Sequence, residues 1–325
     1  MTVPKAALRW GALAFLAFVS LWWGVSGLTG DGLTPVRWVS YAAPWVGVIS
    51  LVISVGFLVV RHFGFGVAYL FTAALVLSPY SAAFMRGVAG SPMFDNLSSN
   101  TLSVLSFNMM TRNTDMVAAA SVIRANSADL ILLQEVNDST TLLRELEGLY
   151  GEAPLSVVRA DEQNLMIISR YQLVEEASDG KVQRAVLQAP MADISLRNLH
   201  AIKAIYDDAV QEMIVEKLIS DISSVADPII VAGDFNLTQE NDGYKELREW
   251  LQNAHEEAGV GFGFTFPTPV RRIGLLFPLV RIDHLFVSRH FCVTSFRTLN
   301  GFAASDHYPI TATLTFDAPR RNGSH

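Results

Sequence analysis

The sequence has little cysteine and little charge. Its 325 residues include a single cysteine, Cys292, and only 17% of them are charged. One cysteine cannot form an intrachain disulfide, which excludes a disulfide-stabilised scaffold and a zinc site built from cysteines. The shortage of charge is concentrated in about the first ninety residues. The remainder has the composition of a soluble domain and is long enough to bury a sizeable core.

The charge that is present is mostly negative. The formal net charge is −7, and the five basic and two acidic residues before Asn96 leave about −10 on the remainder. An acidic domain repels polyanions, which disfavours tight nonspecific binding of DNA. A nuclease that holds its substrate weakly through a metal ion remains compatible with this charge. A serine-triad hydrolase is poorly supported, because the sequence has no Gly-x-Ser-x-Gly elbow.

Three long uncharged stretches predict three transmembrane helices, at Trp10–Gly30, Trp38–Val60 and Phe63–Met85. Each exceeds the roughly 20 residues that a helix needs to cross the hydrocarbon core. Lys5 and Arg9 before the first stretch also resemble a signal peptide, but its removal would leave two spans unexplained. The distribution of basic residues favours a cytoplasmic N-terminus. We therefore expect a multi-pass protein of the cell membrane whose C-terminal domain lies on the extracytoplasmic side.

The predicted domain organisation follows from this division. Residues 1–86 form the membrane region, residues 87–100 a linker rich in Gly, Ser and Asn, residues 101–318 a soluble domain, and residues 319–325 a tail. In the soluble part, short β-rich runs alternate with helical periodicity, which indicates two sheets with helices outside them. The predicted helices are Asp115–Ala125, Ser139–Leu149 and Ile205–Val225, of which the last is the clearest. The predicted strands are Leu102–Phe107, Asp129–Leu133, Leu155–Arg159, Leu165–Ser169, Val182–Gln188, Ala192–Leu199, Pro228–Ala232, Ile282–Ser288, Cys292–Thr298 and Ile310–Phe316.

Acidic, amide and histidine residues recur where predicted strands begin or end. They are Asn108, Glu135, His200, Asp234, Asn236, Asp283, Asp306 and His307. Carboxylates can bind a hard cation such as Mg²⁺, which neutralises a phosphate and polarises a water molecule. Amide donors can hold phosphoryl oxygens, and histidine can stabilise or donate charge near neutral pH. Each residue taken singly is more often a turn or capping residue. Together they form a set suited to phosphoester hydrolysis.

The order of these segments resembles the endonuclease/exonuclease/phosphatase superfamily. The resemblance runs from about Thr101 to Phe316, and Gly233-Asp-Phe-Asn236 and Ser305-Asp-His307 are its most specific motifs. It implies a DNase-I-like four-layer α/β sandwich, in which two β-sheets are flanked by helices, here preceded by three transmembrane helices. Inositol-polyphosphate phosphatases and abasic-site endonucleases fit less well, because their usual late-strand and tyrosine motifs are absent. The N-terminal spans look most like those of bacterial membrane-anchored members.

The resemblance also implies a role for each residue. Glu135 is expected to bind Mg²⁺ or Mn²⁺, with Asn108 beside it and Asp306 as a further candidate ligand. Asp234 is expected to position the attacking water and Asn236 to contact the phosphate. His307 would face the scissile phosphate, oriented by Asp283, and His200 would be a candidate general acid. The substrate is expected to be a lipid or small-molecule phosphoester. An extracytoplasmic nuclease and a catalytically silent membrane-tethered module are the alternatives, and nothing in the sequence points to a protein partner.

The segment from Gly261 to Val280 is unusually apolar for a loop beside a site. It also contains Arg271 and Arg272, which are candidate substrate-binding residues. In one interpretation its apolar side chains pack onto the sandwich and its arginines are solvated. In the other it forms a membrane-facing lip whose arginines bind a substrate phosphate or lipid headgroups.

Overall fold

The computed structural model describes residues 5–89, 100–178, 180–203 and 207–317. Most of the predicted linker, the predicted tail and the first residues of the predicted helix at Ile205 lie outside these ranges. The chain forms two compact units. The first comprises residues up to Ala82 together with Thr238–Tyr244, and the second comprises Ala83–Leu237 and the residues from Lys245 onwards.

The first unit is built from apolar helices. They are α1 (Lys5–Thr29), α2 (Thr34–Tyr41), α3 (Ala43–Val59) and α4 (Phe63–Leu77), after which a 3₁₀ turn leads into α5 (Ser81–Ala89). Two buried hydroxyl groups in this unit donate to backbone carbonyls of another helix. The Ser54 hydroxyl donates to the carbonyl of Gly66 at 2.7 Å, and the Tyr69 hydroxyl donates to the carbonyl of Ala12 at 2.8 Å.

Two helical stretches, Arg9–Thr29 and Phe63–Gly87, are long and apolar enough to cross a membrane. The predicted middle span is instead a broken pair, because α2 and α3 meet at a bend of 63°. Pro44 lies in the first turn of α3, where its missing N–H is tolerated and where it favours the start of a new helix. Within the described residues there are thus two candidate spans, or three if the bent pair counts as one. The middle predicted span, Trp38–Val60, is therefore not established, whereas the first and last predicted spans coincide with the two candidates.

The second unit contains two six-stranded sheets. The first has the order β11-β12-β1-β2-β4-β3 and the second the order β5-β6-β7-β8-β10-β9. The strands are β1 (Thr101–Asn108), β2 (Leu130–Gln134), β3 (Ser156–Ala160), β4 (Leu165–Ser169), β5 (Gln172–Glu175), β6 (Val182–Ala189), β7 (Ala192–His200), β8 (Ile229–Asp234), β9 (Gln252–Asn253), β10 (Asp283–Val287), β11 (Phe291–Thr298) and β12 (Ile310–Phe316). The helices are α6 (Met116–Asn126), α7 (Ser139–Glu145), α8 (Asp208–Ser223), α9 (Asp242–Trp250) and α10 (Ala254–Ala258).

The core of this unit lies between the two sheets. Val104 and Leu132 of the first sheet belong to the same buried cluster as Leu196, Ile230 and Leu285 of the second. The other face of the first sheet is covered by α6 and α7, which bury a second cluster. Because both faces of its central strands are covered, a strand such as β2 is buried along its whole length and is apolar up to its last residue, Gln134. The predicted sandwich of two sheets flanked by helices is confirmed.

Most predicted strands are present within a residue or two of their expected bounds. The described part of the long predicted helix begins at Asp208, where the Asp207 carboxylate accepts a hydrogen bond from the N–H of Val210 at 3.0 Å. The helix expected over Ser139–Leu149 ends earlier, at Glu145. Strand β5 and helix α9 were not predicted. Both are short, and the sequence of α9 is too polar to stand out as a buried element.

Candidate active site

The predicted site residues meet at one edge of the sandwich because of strand register. Asn108 pairs with Gln134 at the ends of parallel strands β1 and β2, which places Glu135 next along the chain. His200 pairs with Asp234 at the ends of β7 and β8. Both sheets thus direct polar side chains to the same edge.

Glu135 is held in place by donors on two sides. Its Oε2 atom accepts hydrogen bonds from the backbone N–H and the hydroxyl of Thr111, both at 2.7 Å. Its Oε1 atom accepts one from Nδ2 of Asn108 at 3.1 Å and lies 3.3 Å from Nε2 of His200. Burial alone would raise the pKa of Glu135, but the hydrogen bond and charge of His200 and the two Thr111 donors hold it well below its usual range. Glu135 is therefore anionic at any ordinary pH.

Asp234 is fully buried at the end of β8. One carboxylate oxygen accepts from the backbone N–H of Asn236 at 3.0 Å, and the other accepts from Nδ2 of Asn108 at 2.9 Å. Burial raises the pKa of Asp234. His307 opposes this rise, whereas the neighbouring Asp283 adds to it. Asp234 is thus poised to accept a proton more readily than an ordinary aspartate.

Gly233, the residue before Asp234, allows β8 to approach β7 closely. Its φ is +144°, and a Cβ atom there would lie 2.0 Å from the carbonyl oxygen of Leu199. Any side chain at this position would push the two strands apart. The glycine of the Gly-Asp-Phe-Asn motif is therefore required by packing beside the site.

His307 and Asp283 form a buried pair across the two sheets. Nδ1 of His307 lies 2.9 Å from Oδ2 of Asp283, and Nε2 lies 3.7 Å from Asp234. Burial disfavours the imidazolium, but the charges of Asp283 and Asp234 outweigh it and raise the pKa of His307 to about 9. Within the described residues, the buried Nε2 atom has no hydrogen-bond partner. A protonated His307 therefore has one N–H to donate to a bound group.

His200 completes this side of the site. Its side chain is 21% exposed, and its Nε2 atom lies 3.3 Å from Glu135 and 4.0 Å from Asp234. Asn236 lies beside it at the end of the motif, where its Nδ2 atom donates to the carbonyl of Ala201 at 2.9 Å. The amide N–H that was expected to contact a phosphate is thus engaged with the backbone in this arrangement.

The predicted metal role of Asp306 is not supported by its position. Its buried carboxylate forms a two-pronged ion pair with Arg271, with Nε and Nη2 both 2.8 Å from Oδ2. The groups of described residues that could hold a metal ion include neither of them. The reason is local, because the chain after Thr268 brings Arg271 over Asp306. The Arg271 guanidinium is accordingly engaged by Asp306 through Nε and Nη2, while its side chain is 49% exposed.

The two remaining substrate-binding predictions have different outcomes. Arg272 is exposed, and within the described ranges its side chain has no hydrogen bond or ion pair. Asn108 lies at the centre of the site, but its Oδ1 atom accepts from the N–H of Met110 at 3.0 Å, so that Nδ2 faces the carboxylates. Asn108 is thus placed as a donor that orients Glu135 and Asp234, and not as an oxygen ligand.

Several residues near the site carried no signal in the sequence. Thr111 holds Glu135, and the Lys203 ammonium lies 5.0 Å from the centre of the Phe266 ring, which in turn contacts His307. A loop threonine and a lone lysine are too common to be selected by type alone. Their proximity to Glu135 and His307 is visible only after the loops are placed.

Beneath the site, buried amides connect the two sheets. Nε2 of Gln134 donates to Oδ1 of Asn198 at 2.7 Å, and Nδ2 of Asn198 donates to the carbonyl of Leu133 at 2.9 Å. Both side chains are fully buried. The two buried amides therefore align β2 and β7, and with them Glu135 and His200.

The donor set fits a divalent cation. Glu135, His200 and Asp234 offer ligand atoms that all lie within 4.8 Å of one another. The permanently anionic Glu135 suits a hard ion such as Mg²⁺ or Mn²⁺, which prefers carboxylate oxygens. The ligand atoms of a second group, Asp234, Asp283 and His307, also lie within 4.8 Å of one another. That group is fully buried and already joined by the His307–Asp283 hydrogen bond, so the Glu135 side is the better cation site.

Comparisons with known proteins identify the family and the fold of this domain. A sequence model described as the endonuclease/exonuclease/phosphatase family matches residues 105–307. An endonuclease/exonuclease/phosphatase structure from Bacteroides vulgatus superposes with a TM-score of 0.55 at 18% identity, covering 67% of this chain and 99% of that one. Truncated TDP2 from Caenorhabditis elegans superposes with a TM-score of 0.51 at 20% identity, covering 68% and 100%. No curated protein matches the sequence significantly. At these identities the solved structures establish the fold.

Proposed function

The chain belongs to the endonuclease/exonuclease/phosphatase family, and on that premise we propose that it hydrolyses a phosphoester by metal-assisted attack of water. Members of this superfamily are typically hydrolases of phosphoesters. The observation that carries the proposal is the meeting of Glu135, Asp234 and the His307–Asp283 pair at one edge. A silent binding module would have no need for such a pair, with an unpartnered imidazole nitrogen aimed between carboxylates.

In the proposed reaction, the oxygen of water bonds to phosphorus while the bond from phosphorus to the leaving oxygen breaks. Asp234 orients the water and accepts its proton, a role favoured by its raised pKa. His200, which in this proposal is not a ligand of the cation, donates a proton to the leaving oxygen, which departs as an alcohol. A divalent ion held by Glu135 would supply positive charge that neutralises the phosphate.

His307 has a separate role in this proposal. With a pKa of about 9 it is an imidazolium at neutral pH, and its Nε2–H can donate to a phosphoryl oxygen as negative charge builds there. Asp283 fixes the ring through Nδ1. The two histidines therefore differ, since one stabilises charge and the other supplies a proton.

We further propose that the enzyme is anchored in the cell membrane with its catalytic domain on the extracytoplasmic side. The two candidate spans support membrane association. The side follows from the basic residues near the N-terminus and from a crossing by the bent α2–α3 pair. Substrates would then be extracytoplasmic phosphoesters.

The function can be tested with the purified full-length chain in lipid nanodiscs. Candidate substrates are p-nitrophenyl phosphate, bis-p-nitrophenyl phosphate, phospholipids, DNA and RNA, each with Mg²⁺, with Mn²⁺ or with chelator. We expect hydrolysis that requires the cation and falls at least roughly a hundredfold in Asp234→Asn. Asp193→Asn, at an exposed position on β7, is the matched control. Undiminished turnover in chelator or in Asp234→Asn would contradict the proposal, and preference for DNA would favour a nuclease.

A further inference from the structure

Beside the site, a short segment presents large apolar side chains to the outside of the domain. We define the apolar ridge as Val270, Ile273, Leu275, Leu276 and Phe277. Ile273 is 68% exposed, Leu275 65% and Leu276 86%. The expectation that the apolar residues of this loop pack onto the sandwich is therefore wrong for these positions. A contiguous exposed patch of this kind on a soluble surface usually marks a binding surface.

The apolar ridge rests on an ordered base. The backbone N–H groups of Leu279 and Val280 donate to the carbonyl of Phe266 at 2.8 and 2.9 Å. Arg271 is tied to Asp306, and Gly274 lies so close to Thr268 that a Cβ atom there would be 2.2 Å from the Thr268 carbonyl oxygen. These contacts hold the ridge outward next to His307, whose ring lies 4.9 Å from that of Phe266. Its exposure is thus built into the fold of the loop.

The exposed charge in this segment is positive. Residues 258–282 contain three arginines and no aspartate or glutamate. Arg281 is buried and Arg271 is paired with Asp306, which leaves Arg272 as the cation on the surface. Arg272 lies within the apolar ridge and is exposed. Apolar side chains flanked by an unshielded cation match the interface of an anionic lipid bilayer.

The same unit also contains the end of a candidate span. Helix α5 completes the apolar stretch Phe63–Gly87, and its Arg86 donates from Nε to the carbonyl of Gly259 at 2.9 Å. The Phe84 ring packs edge-on against Phe262, with centroids 4.8 Å apart. The end of a span lies at the membrane interface. If the stretch Phe63–Gly87 crosses the membrane as proposed, the segment that leads into the ridge starts near the bilayer surface.

From these observations we propose that the apolar ridge inserts into an anionic lipid surface and that the substrate is a phosphoester presented in that surface. The substrate class rests on the proposed hydrolysis, whereas the insertion rests on the proposed membrane anchoring and not on catalysis. Shallow insertion would remove the ridge from water and place Arg272 among lipid phosphates. The neighbouring site would then face headgroup phosphoesters.

Insertion can be measured without any catalysis. Cys292 is the only cysteine, so Cys292→Ser followed by Leu276→Cys allows a single environment-sensitive fluorophore to be attached in the full chain. Val117→Cys on α6, also exposed, is the matched control. In nanodiscs containing anionic lipid, we expect the probe at position 276 to emit further to the blue. We also expect shallow nitroxide lipids to quench it at least about fivefold more than the probe at 117.

Two outcomes would overturn the insertion. One is emission and quenching at position 276 equal to those at position 117. That result would mean that the apolar ridge stays in water or binds a protein partner instead of lipid. The other is quenching at position 276 that is equal in anionic and purely zwitterionic nanodiscs and is unchanged by Arg272→Ala. That result would show that insertion does not depend on anionic lipid.

Substrate class is tested by Leu275→Asp combined with Leu276→Asp. We expect kcat/KM for a phospholipid in the nanodisc to fall about tenfold or more, because burial of two leucines is lost. Turnover of bis-p-nitrophenyl phosphate should not change, and Val117→Asp should affect neither substrate. Equal losses on both substrates would overturn the proposal. If the wild-type protein hydrolyses only soluble esters, the proposal of a lipid substrate is wrong, although the proposed hydrolase function is supported. If it hydrolyses none of the substrates, the proposed function is wrong, and the fluorophore experiment still tests insertion separately.

Discussion

Nδ1 of His307 lies 2.9 Å from Oδ2 of Asp283, and this contact joins the segment before β12 in one sheet to the first residue of β10 in the other. Both side chains are buried, so the hydrogen bond forms where water cannot compete with it. Its effect is electrostatic, because the carboxylate keeps the imidazole protonated to a higher pH than burial alone would allow.

The first prediction concerns pH. If the imidazolium of His307 is the active form, activity should be retained below a pKa of about 9 and lost as the pH rises through it. Asp283→Asn removes the charge that raises this pKa, while burial, which lowers it, remains. The alkaline limb of the kcat profile should then move down by about 1–3 pH units. An alkaline limb that stays in place in Asp283→Asn would contradict a role for the pair.

The second prediction concerns the cation. Glu135→Ala should reduce turnover at least roughly a hundredfold and weaken Mg²⁺ or Mn²⁺ binding, because it removes the anionic ligand. Isothermal titration of the full chain with metal measures the binding separately from catalysis. Glu162→Ala, in an exposed turn, serves as the control. Full activity and unchanged metal affinity of Glu135→Ala would show that the cation binds elsewhere.

The third prediction separates the two neighbouring arginines. Arg271→Ala leaves the buried carboxylate of Asp306 without its partner and should destabilise the domain by about 2 kcal/mol, less than a fully buried pair because Arg271 is partly exposed. Arg272→Ala should leave the unfolding midpoint unchanged. Thermal unfolding of the two variants measures the difference. Adding Asp306→Asn to Arg271→Ala should recover part of the loss, and equal midpoints for both single variants would refute the assignment.

The fourth prediction concerns topology. Helix α3 has 17 residues, which corresponds to about 26 Å and is slightly short of the ~30 Å hydrocarbon core, so α2 must contribute if the pair crosses. With a crossing, alkaline phosphatase fused after His325 should be active and a green fluorescent fusion should be dark. Alkaline phosphatase fused after Gly32 should be active whether or not the α2–α3 pair crosses, because Gly32 follows the first span. Fluorescence of only the C-terminal fusion would mean that α2–α3 does not cross.

The pattern of residues along the chain was sufficient for much of the fold. Long uncharged stretches predict helices that cross a membrane, because a helix forms its backbone hydrogen bonds internally and so exposes no unpaired backbone group to the hydrocarbon core. Short apolar runs that end in Asn108, Glu135 and Asp234 predict buried strands with a polar site at their ends. These features are local, so they can be read before any tertiary contact is known.

Other features depend on which segments meet. Asp306 follows a motif serine just as Asp234 follows a motif glycine, yet one pairs with Arg271 and the other lies in the site. Thr111 and Lys203 enter the site through loops whose paths no periodicity predicts. The bend between α2 and α3 likewise interrupts a stretch that is uniformly apolar in sequence.

The amino-acid sequence by itself determined the fold class and the apolar character of the N-terminal helices, and it predicted most residues that lie together at the candidate site, because hydrophobic periodicity and motif order are properties of the chain. The tertiary structure decided which carboxylates come together at the candidate cation site, that Asp283 and Asp234 raise the pKa of His307, and that Ile273, Leu275 and Leu276 are exposed. Those properties depend on distance and burial, and both are set only when residues far apart in the chain are brought together.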